Sequence, residues 1–228
     1  MNNRLYRNCL LLLLTVLLAG LTDRMQAQTR NRQSVHTNSY DVPPAVPEML
    51  VFAGDTIRFD RADLRERMDR ELIAFSYMHT NSNLVIKRAN RLFPVVEPIL
   101  KEYGIPDDLK YLMVIESNLD PKSLSSAGAA GLWQFVQSTG REYGLEVNAN
   151  IDERYNTKKA TVAACKYLAE AYQKYGNWMT VAASYNGGQN GISRRLEEQH
   201  QTNALDLWLV EETSRYMFRL TLYQVLLL

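Results

Sequence analysis

One glutamate stands where an apolar residue is expected. Gly104-Ile105-Pro106-Asp107-Asp108 has the composition of a helix start, with proline in the first turn and acidic residues at the positive end of the dipole. From there Leu109, Leu112 and Met113 make an inward stripe, and the next position on it is Glu116. With Val114 and Ile115 beside it, that carboxyl is expected in a poorly solvated place, which disfavours its charge and raises its pKa towards neutrality. A general acid that protonates a leaving oxygen near neutral pH needs that property. The alternative is a glutamate at a helix end that reaches solvent or pairs with Lys122 or Arg141.

Two further segments offer groups for polar recognition. Ser117-Asn118-Leu119-Asp120-Pro121 ends the helix, and Ser125-Ser126-Ala127-Gly128-Ala129-Ala130-Gly131 leads through small residues into Leu132-Trp133-Gln134-Phe135. Small residues let a polymer approach the backbone, and the Gln134 amide offers both a donor and an acceptor to a sugar or its N-acetyl group. Trp133 is a candidate for stacking on a sugar face or for the core. Later, Trp178, Val181, Ala182 and Tyr185 mark a helix face that closes in Tyr185-Asn186-Gly187-Gly188. Tyr185 and Asn186 could hydrogen-bond a sugar; the same pattern also describes a helix stopped at glycine.

The elements that must position these groups are helical. Leu64, Met68, Leu72, Ile73 and Phe75 have three-to-four spacing, and Leu84 to Tyr103 continues it, with Pro94 and Pro98 predicting a break or kink. Further helices are predicted over 107–118, 132–143, 156–175, 178–186 and from Glu211 onward. No long period-two alternation and no internal repeat is present, so the expected fold is all-α, one domain over 59–228. Residues 28–58, rich in Asn, Gln, Ser and Thr with Pro43, Pro44 and Pro47, are expected to be an extended lead-in.

The first residues read as an export signal. Arg4 and Arg7 precede an apolar run from Cys9 to Leu21, and Met25-Gln26-Ala27 suits cleavage after Ala27. An uncleaved anchor is the alternative, although the run is shorter than the ~20 residues of a spanning helix. No cysteine follows the run, so no lipid anchor is expected. Removing 1–27 takes the balance from 26 basic and 25 acidic residues to 23 and 24, which does not suit nucleic acid. The location expected is the periplasm or cell envelope. Cys165 then stands alone in an apolar helix, as a buried small side chain rather than a nucleophile. His36, His79 and His200 are scattered without ligand spacing, so no metal and no other cofactor is expected. The apolar end, Val225 to Leu228, is expected to dock a last helix.

Residues from about Tyr103 to Ile192 resemble the catalytic domain of the lytic transglycosylases of the soluble and membrane-bound type D kind, within the lysozyme-like superfamily. The resemblance lies in Ile105-Pro106 with Leu109-Lys110-Tyr111 and Ile115-Glu116-Ser117; in Ala130-Gly131-Leu132-Trp133-Gln134-Phe135 with Ser138-Thr139-Gly140; in Asp152-Glu153-Arg154 with Ala160-Thr161 and Lys166-Tyr167-Leu168; and in Ala183-Ser184-Tyr185-Asn186-Gly187-Gly188. Glu211-Glu212-Thr213-Ser214-Arg215-Tyr216 resembles a late Glu-Thr-x-x-Tyr element. The resemblance implies a lysozyme-like fold with Glu116 as the one catalytic acid and base, and Ser117, Gln134, Tyr185, Asn186 and Tyr216 lining a sugar groove. It implies peptidoglycan glycan strands as partner and cleavage of the MurNAc to GlcNAc β-1,4 bond without water, leaving a 1,6-anhydromuramoyl end.

Ser184 replaces a usual alanine, and Asn156 stands near where the family often has Asp-Pro. The LysM wall-binding repeats of many type D relatives are not among the 228 residues, so wall affinity is expected from an envelope protein partner. A lysozyme-type hydrolase of the same bond is the nearest alternative; it needs a second carboxylate, for which Asp120, Glu142, Asp152 and Glu153 are available. A wall-binding or assembly protein on the same fold is the alternative outside enzymes.

Overall fold

The computed structural model describes residues 44–76 and 79–227, and residues 1–43, with the expected export signal and most of the lead-in, lie outside them. The described chain opens with an antiparallel hairpin of β1 (Met49–Phe52) and β2 (Asp55–Arg58). Ala53 and Gly54 turn it, both at positive φ, the geometry that matches the twist of a two-residue hairpin. This corrects the extended lead-in over 49–58. Behind the proline cluster, Phe52, Ile57 and Phe59 are buried, so the segment has apolar side chains to dock although each strand is too short to display a period-two run. Asp108 accepts from the Ala53 N–H (2.7 Å) and from Gln224 Nε2 (3.1 Å), and Gln224 Nε2 also donates to the Val51 carbonyl (2.6 Å).

The rest is helical, as expected: α1 (Ala62–Ser76), α2 (His79–Glu102), a 3-10 turn (Asp107–Lys110), α3 (Tyr111–Ser117), α4 (Gln137–Glu142), a second 3-10 turn (Glu153–Tyr155), α5 (Thr157–Tyr175), α6 (Trp178–Gly187), α7 (Gln189–Glu198), a third 3-10 turn (Ala204–Asp206) and α8 (Glu211–Leu227). Helix α8 packs against α1, α3 and α6, while α5 packs against α2 and α6. In α3, Tyr111, Leu112, Met113 and Val114 are all buried, so this short helix is apolar around its circumference and lies inside the domain. Asn156 caps α5 by accepting from the Lys159 N–H (3.1 Å), and Asn177 caps α6 by accepting from the Thr180 N–H (2.8 Å).

Three expectations need correction. Helix α2 runs through Pro94 and Pro98 without a break, because Leu92, Phe93, Val96 and Leu100 bury the face that carries it across the lost donors. The helix expected over 132–143 begins only at Gln137, since Gly131 (φ +77) and Gln134 (φ +50) turn the chain and Ala130 bridges to Phe135. Helix α7 carries a mainly polar sequence and was not among the expected helices; Ile192 is its buried residue. The expected docking of the last helix is found, with Leu226 and Leu227 packed on the core.

One carboxylate is buried among the helices. Glu71 of α1, 2% exposed, accepts from Arg215 Nε (2.5 Å) and Nη2 (3.1 Å) and from Arg219 Nε (3.2 Å), both on α8.

Candidate active site

Helix α3 stops at Asn118 and Leu119, both left-handed (φ +49 and +56), which leaves Glu116 in its last turn. Tyr216, one hundred residues on and buried in α8, donates its hydroxyl to Glu116 Oε1 at 2.6 Å. Neither Lys122 nor Arg141 pairs with the carboxyl; Arg141 donates instead to the Val147 carbonyl (2.8 Å) and Gln137 Oε1 (3.2 Å). Burial pushes Glu116 from its ordinary 4.5 up to about 7. The Tyr216 hydrogen bond works the other way by favouring the carboxylate, and the negative charge of Glu212 pushes upward again. Burial and the nearby Glu116 charge in turn hold the Tyr216 phenol well above its ordinary value, so it remains a donor.

Glu212 was not singled out in the sequence. It lies four residues before Tyr216 on α8 and therefore on the same face, a helical spacing that could have found it once Tyr216 was a candidate. Its Oε1 is 3.5 Å from Asn186 Nδ2, the limit of a hydrogen bond.

Tyr185, at the end of α6, reaches the other side. Its hydroxyl donates to the Trp133 carbonyl at 2.7 Å, and its ring meets Tyr167 edge-on at 5.1 Å. Burial first, and then the Glu116 charge, raise its pKa well above the ordinary value. Two phenols thus flank one carboxyl, Tyr216 by direct contact and Tyr185 through the field. Gly188, at φ +75, ends α6 just behind Asn186.

The loop from Asn118 to Phe135 forms the third wall. A Cβ on Gly131 would lie 2.0 Å from the Arg154 carbonyl oxygen, so only glycine fits there, apart from its positive φ. The buried Arg154 guanidinium donates to the carbonyls of Gly128 (2.7 Å) and Phe135 (2.9 Å), and its fork grips Asp152 at 2.9 and 2.7 Å. Trp133 belongs to the core: it is fully buried and donates Nε1 to Thr161 Oγ1 at 3.0 Å. Gln134 is half-buried and uses Nε2 on the Gly131 carbonyl (2.8 Å); among the described residues nothing donates to its Oε1. Ser117 differs from the expected groove residue. It is buried, with Oγ 2.9 Å from the Met113 carbonyl and 3.0 Å from the Leu132 carbonyl, so its proton ties the end of α3 to the loop.

Of the carboxylates available as a second catalytic group, Asp120 pairs with Arg88 (2.9 Å), Asp152 with Arg154 (2.7 Å) and Glu153 with Lys159, while Glu142 is exposed. Cys165 is buried and its thiol is pushed up to about 12, far from a nucleophile's range.

Residues 96–207 match the profile of the transglycosylase SLT domain, which takes in Glu116, Ser117, Gln134, Tyr185 and Asn186 and stops short of Glu212 and Tyr216. The chain is 29% identical over 178 residues to the membrane-bound lytic murein transglycosylase D of Escherichia coli strain K12, a match that covers 75% of this chain and 38% of that protein. It is 28% identical over 128 residues to a membrane-bound lytic murein transglycosylase C of Photorhabdus laumondii, covering 49% of this chain and 35% of that protein. A transglycosylase C of Yersinia pestis is 27% identical over 139 residues, 54% of this chain and 38% of its own length. The chain therefore spans well under half the length of these relatives.

Proposed function

We propose that the protein is a lytic transglycosylase of peptidoglycan with Glu116 as its general acid and base, a reading supported by the match of residues 96–207 to the transglycosylase SLT domain. The observation that carries the reading is a carboxyl pushed up to about 7 and held by one phenol, while the carboxylates of Asp120, Asp152 and Glu153 are each tied to a base. Protonated Glu116 gives its proton to the glycosidic oxygen as the bond to the muramoyl anomeric carbon breaks. The carboxylate then accepts the proton of the muramoyl O6 hydroxyl as that oxygen attacks the anomeric carbon, and a 1,6-anhydro ring closes without water. Tyr216 orients Glu116 and steadies its charged form between the two steps. Gln134 presents its free amide oxygen, and Asn186 and Tyr185 complete the wall against which the strand lies. Ser117 acts on the geometry by fixing the helix end to the loop.

We further propose that residues 1–27 direct export and are removed, that residue 28 begins the mature chain, and that the enzyme works in the cell envelope. Among the described residues no helix is long and apolar enough to cross a membrane, and a lipid anchor is not part of the proposal. Wall targeting by an envelope protein partner remains part of it.

The deciding experiment is mass spectrometry of muropeptides released from purified peptidoglycan by the protein and by Glu116→Gln. Anhydromuramoyl products that vanish in the variant are expected. Glu212 gives a hydrolytic outcome its own candidate base, since its charge reaches Glu116. Reducing-end products that vanish in Glu212→Gln would replace the lyase reading with a hydrolase. No release from the unsubstituted protein would end the enzyme reading.

A further inference from the structure

Between the third 3-10 turn and α8 the side chains alternate: Leu207 is buried and Leu209 packs on the core, whereas Trp208 and Val210 face outward. Trp208 is 84% exposed, the most exposed large apolar side chain among the described residues. Its main chain is nonetheless fixed. The Trp208 N–H donates to Gln199 Oε1 (2.8 Å) and its carbonyl accepts from Gln199 Nε2 (3.2 Å), so one amide just past α7 clamps both backbone groups. Upstream, the Ala204 N–H donates to the buried Thr180 hydroxyl at 3.0 Å, and the Leu205 N–H to Asn203 Oδ1 at 3.0 Å. An indole held out on fixed backbone loses little freedom when a flat partner covers it.

Single exposed apolar side chains are ordinary on protein surfaces. This one has a clamped backbone, Val210 exposed two residues on in the same segment, and a short tether to the site, for it precedes Glu212 by four residues. Four extended residues span at most about 14 Å, which keeps the Trp208 backbone within that distance of the Glu212 backbone. The other two tryptophans, Trp133 and Trp178, are buried. We infer that Trp208 is a stacking platform for a pyranose ring of the glycan strand, one or more sugars away from the bond that is cut; the inference rests on the proposed glycan substrate. The C–H face of the sugar covers the indole, and its rim hydroxyls meet the exposed carboxylate of Glu212; the neighbouring Glu211 is engaged by Arg70 at 2.7 Å. A group that grips the strand away from the reacting atoms acts on KM rather than on kcat.

The test uses the full chain with Glu116→Gln, to hold strands uncut, and peptide-free glycan strands prepared from peptidoglycan. Acrylamide quenching of tryptophan fluorescence reports mainly on Trp208, because the other two indoles are shielded. Added strands are expected to protect the fluorescence. Adding Trp208→Ala should remove that protection and weaken strand binding about two- to tenfold, with Trp208→Phe recovering most of it. In the active protein Trp208→Ala should raise KM by a similar factor. Unchanged strand binding in Trp208→Ala, with muropeptides still released by the unsubstituted protein, overturns the platform and leaves the enzyme reading in place. Protection by anionic phospholipid vesicles but not by strands overturns it in favour of a membrane surface, and absence of muropeptide release removes its premise.

Discussion

Glu116 is more comfortable protonated than ionised, and that has a cost that can be measured. Its pKa rises from 4.5 in an open chain to about 7 when folded, so between those values the folded protein holds a proton that the unfolded chain releases. Stability from this group is present below pH 4.5 and is lost as pH rises through 7. Glu116→Gln should therefore stabilise the protein by about 1–3 kcal/mol at pH 8 in urea unfolding, with the gain fading towards pH 4.5, while activity falls about a hundred- to ten-thousandfold. Tyr216→Phe removes the donor that favours the carboxylate, so the alkaline limb of the rate profile should move to higher pH and kcat should drop about tenfold. The poorly solvated carboxyl of Glu116 was legible in the sequence because helical spacing put it on an apolar stripe. Its partner's contact was not, because Tyr216 lies a hundred residues away and no local pattern links the two.

At the scale of elements, the helices with regular stripes, α1, α5 and α8, and the small-residue turns over 118–131 were readable, and the last part of the loop, 132–136, was not. Leu132-Trp133-Gln134-Phe135 looks like a helix start because it is apolar, but the positive φ of Gly131 and Gln134 and the anchoring of the Phe135 carbonyl by Arg154 settle it as a turn. Those constraints come from residues far along the chain, which periodicity does not see. Gly131→Ala forces a Cβ against the Arg154 carbonyl and should destabilise the protein by about 3 kcal/mol or more, measured by thermal unfolding. Because the same loop carries Gln134 and meets Tyr185 at the Trp133 carbonyl, activity should fall further than stability alone explains. The hairpin was missed for a related reason: four-residue strands carry too little alternation to register.

For the whole molecule, Glu71 joins α1 to α8 through two arginines, and α8 carries Tyr216 and Glu212 to the site. Glu71→Gln leaves those arginines without their shared carboxylate. Because Arg215 and Arg219 reach solvent, the expected loss is about 1–3 kcal/mol, a fall in Tm of about 2–12 °C by calorimetry. The Gln224 amide, which grips both Val51 and Asp108, sets a further condition. During synthesis the hairpin leaves the ribosome early, yet the side chain that locks it arrives 173 residues later. A message cut short before Gln224 would yield a product in which Asp108 still holds the turn of the hairpin and Glu71 still meets Arg215 and Arg219, but in which the Val51 carbonyl has lost its partner from the last helix.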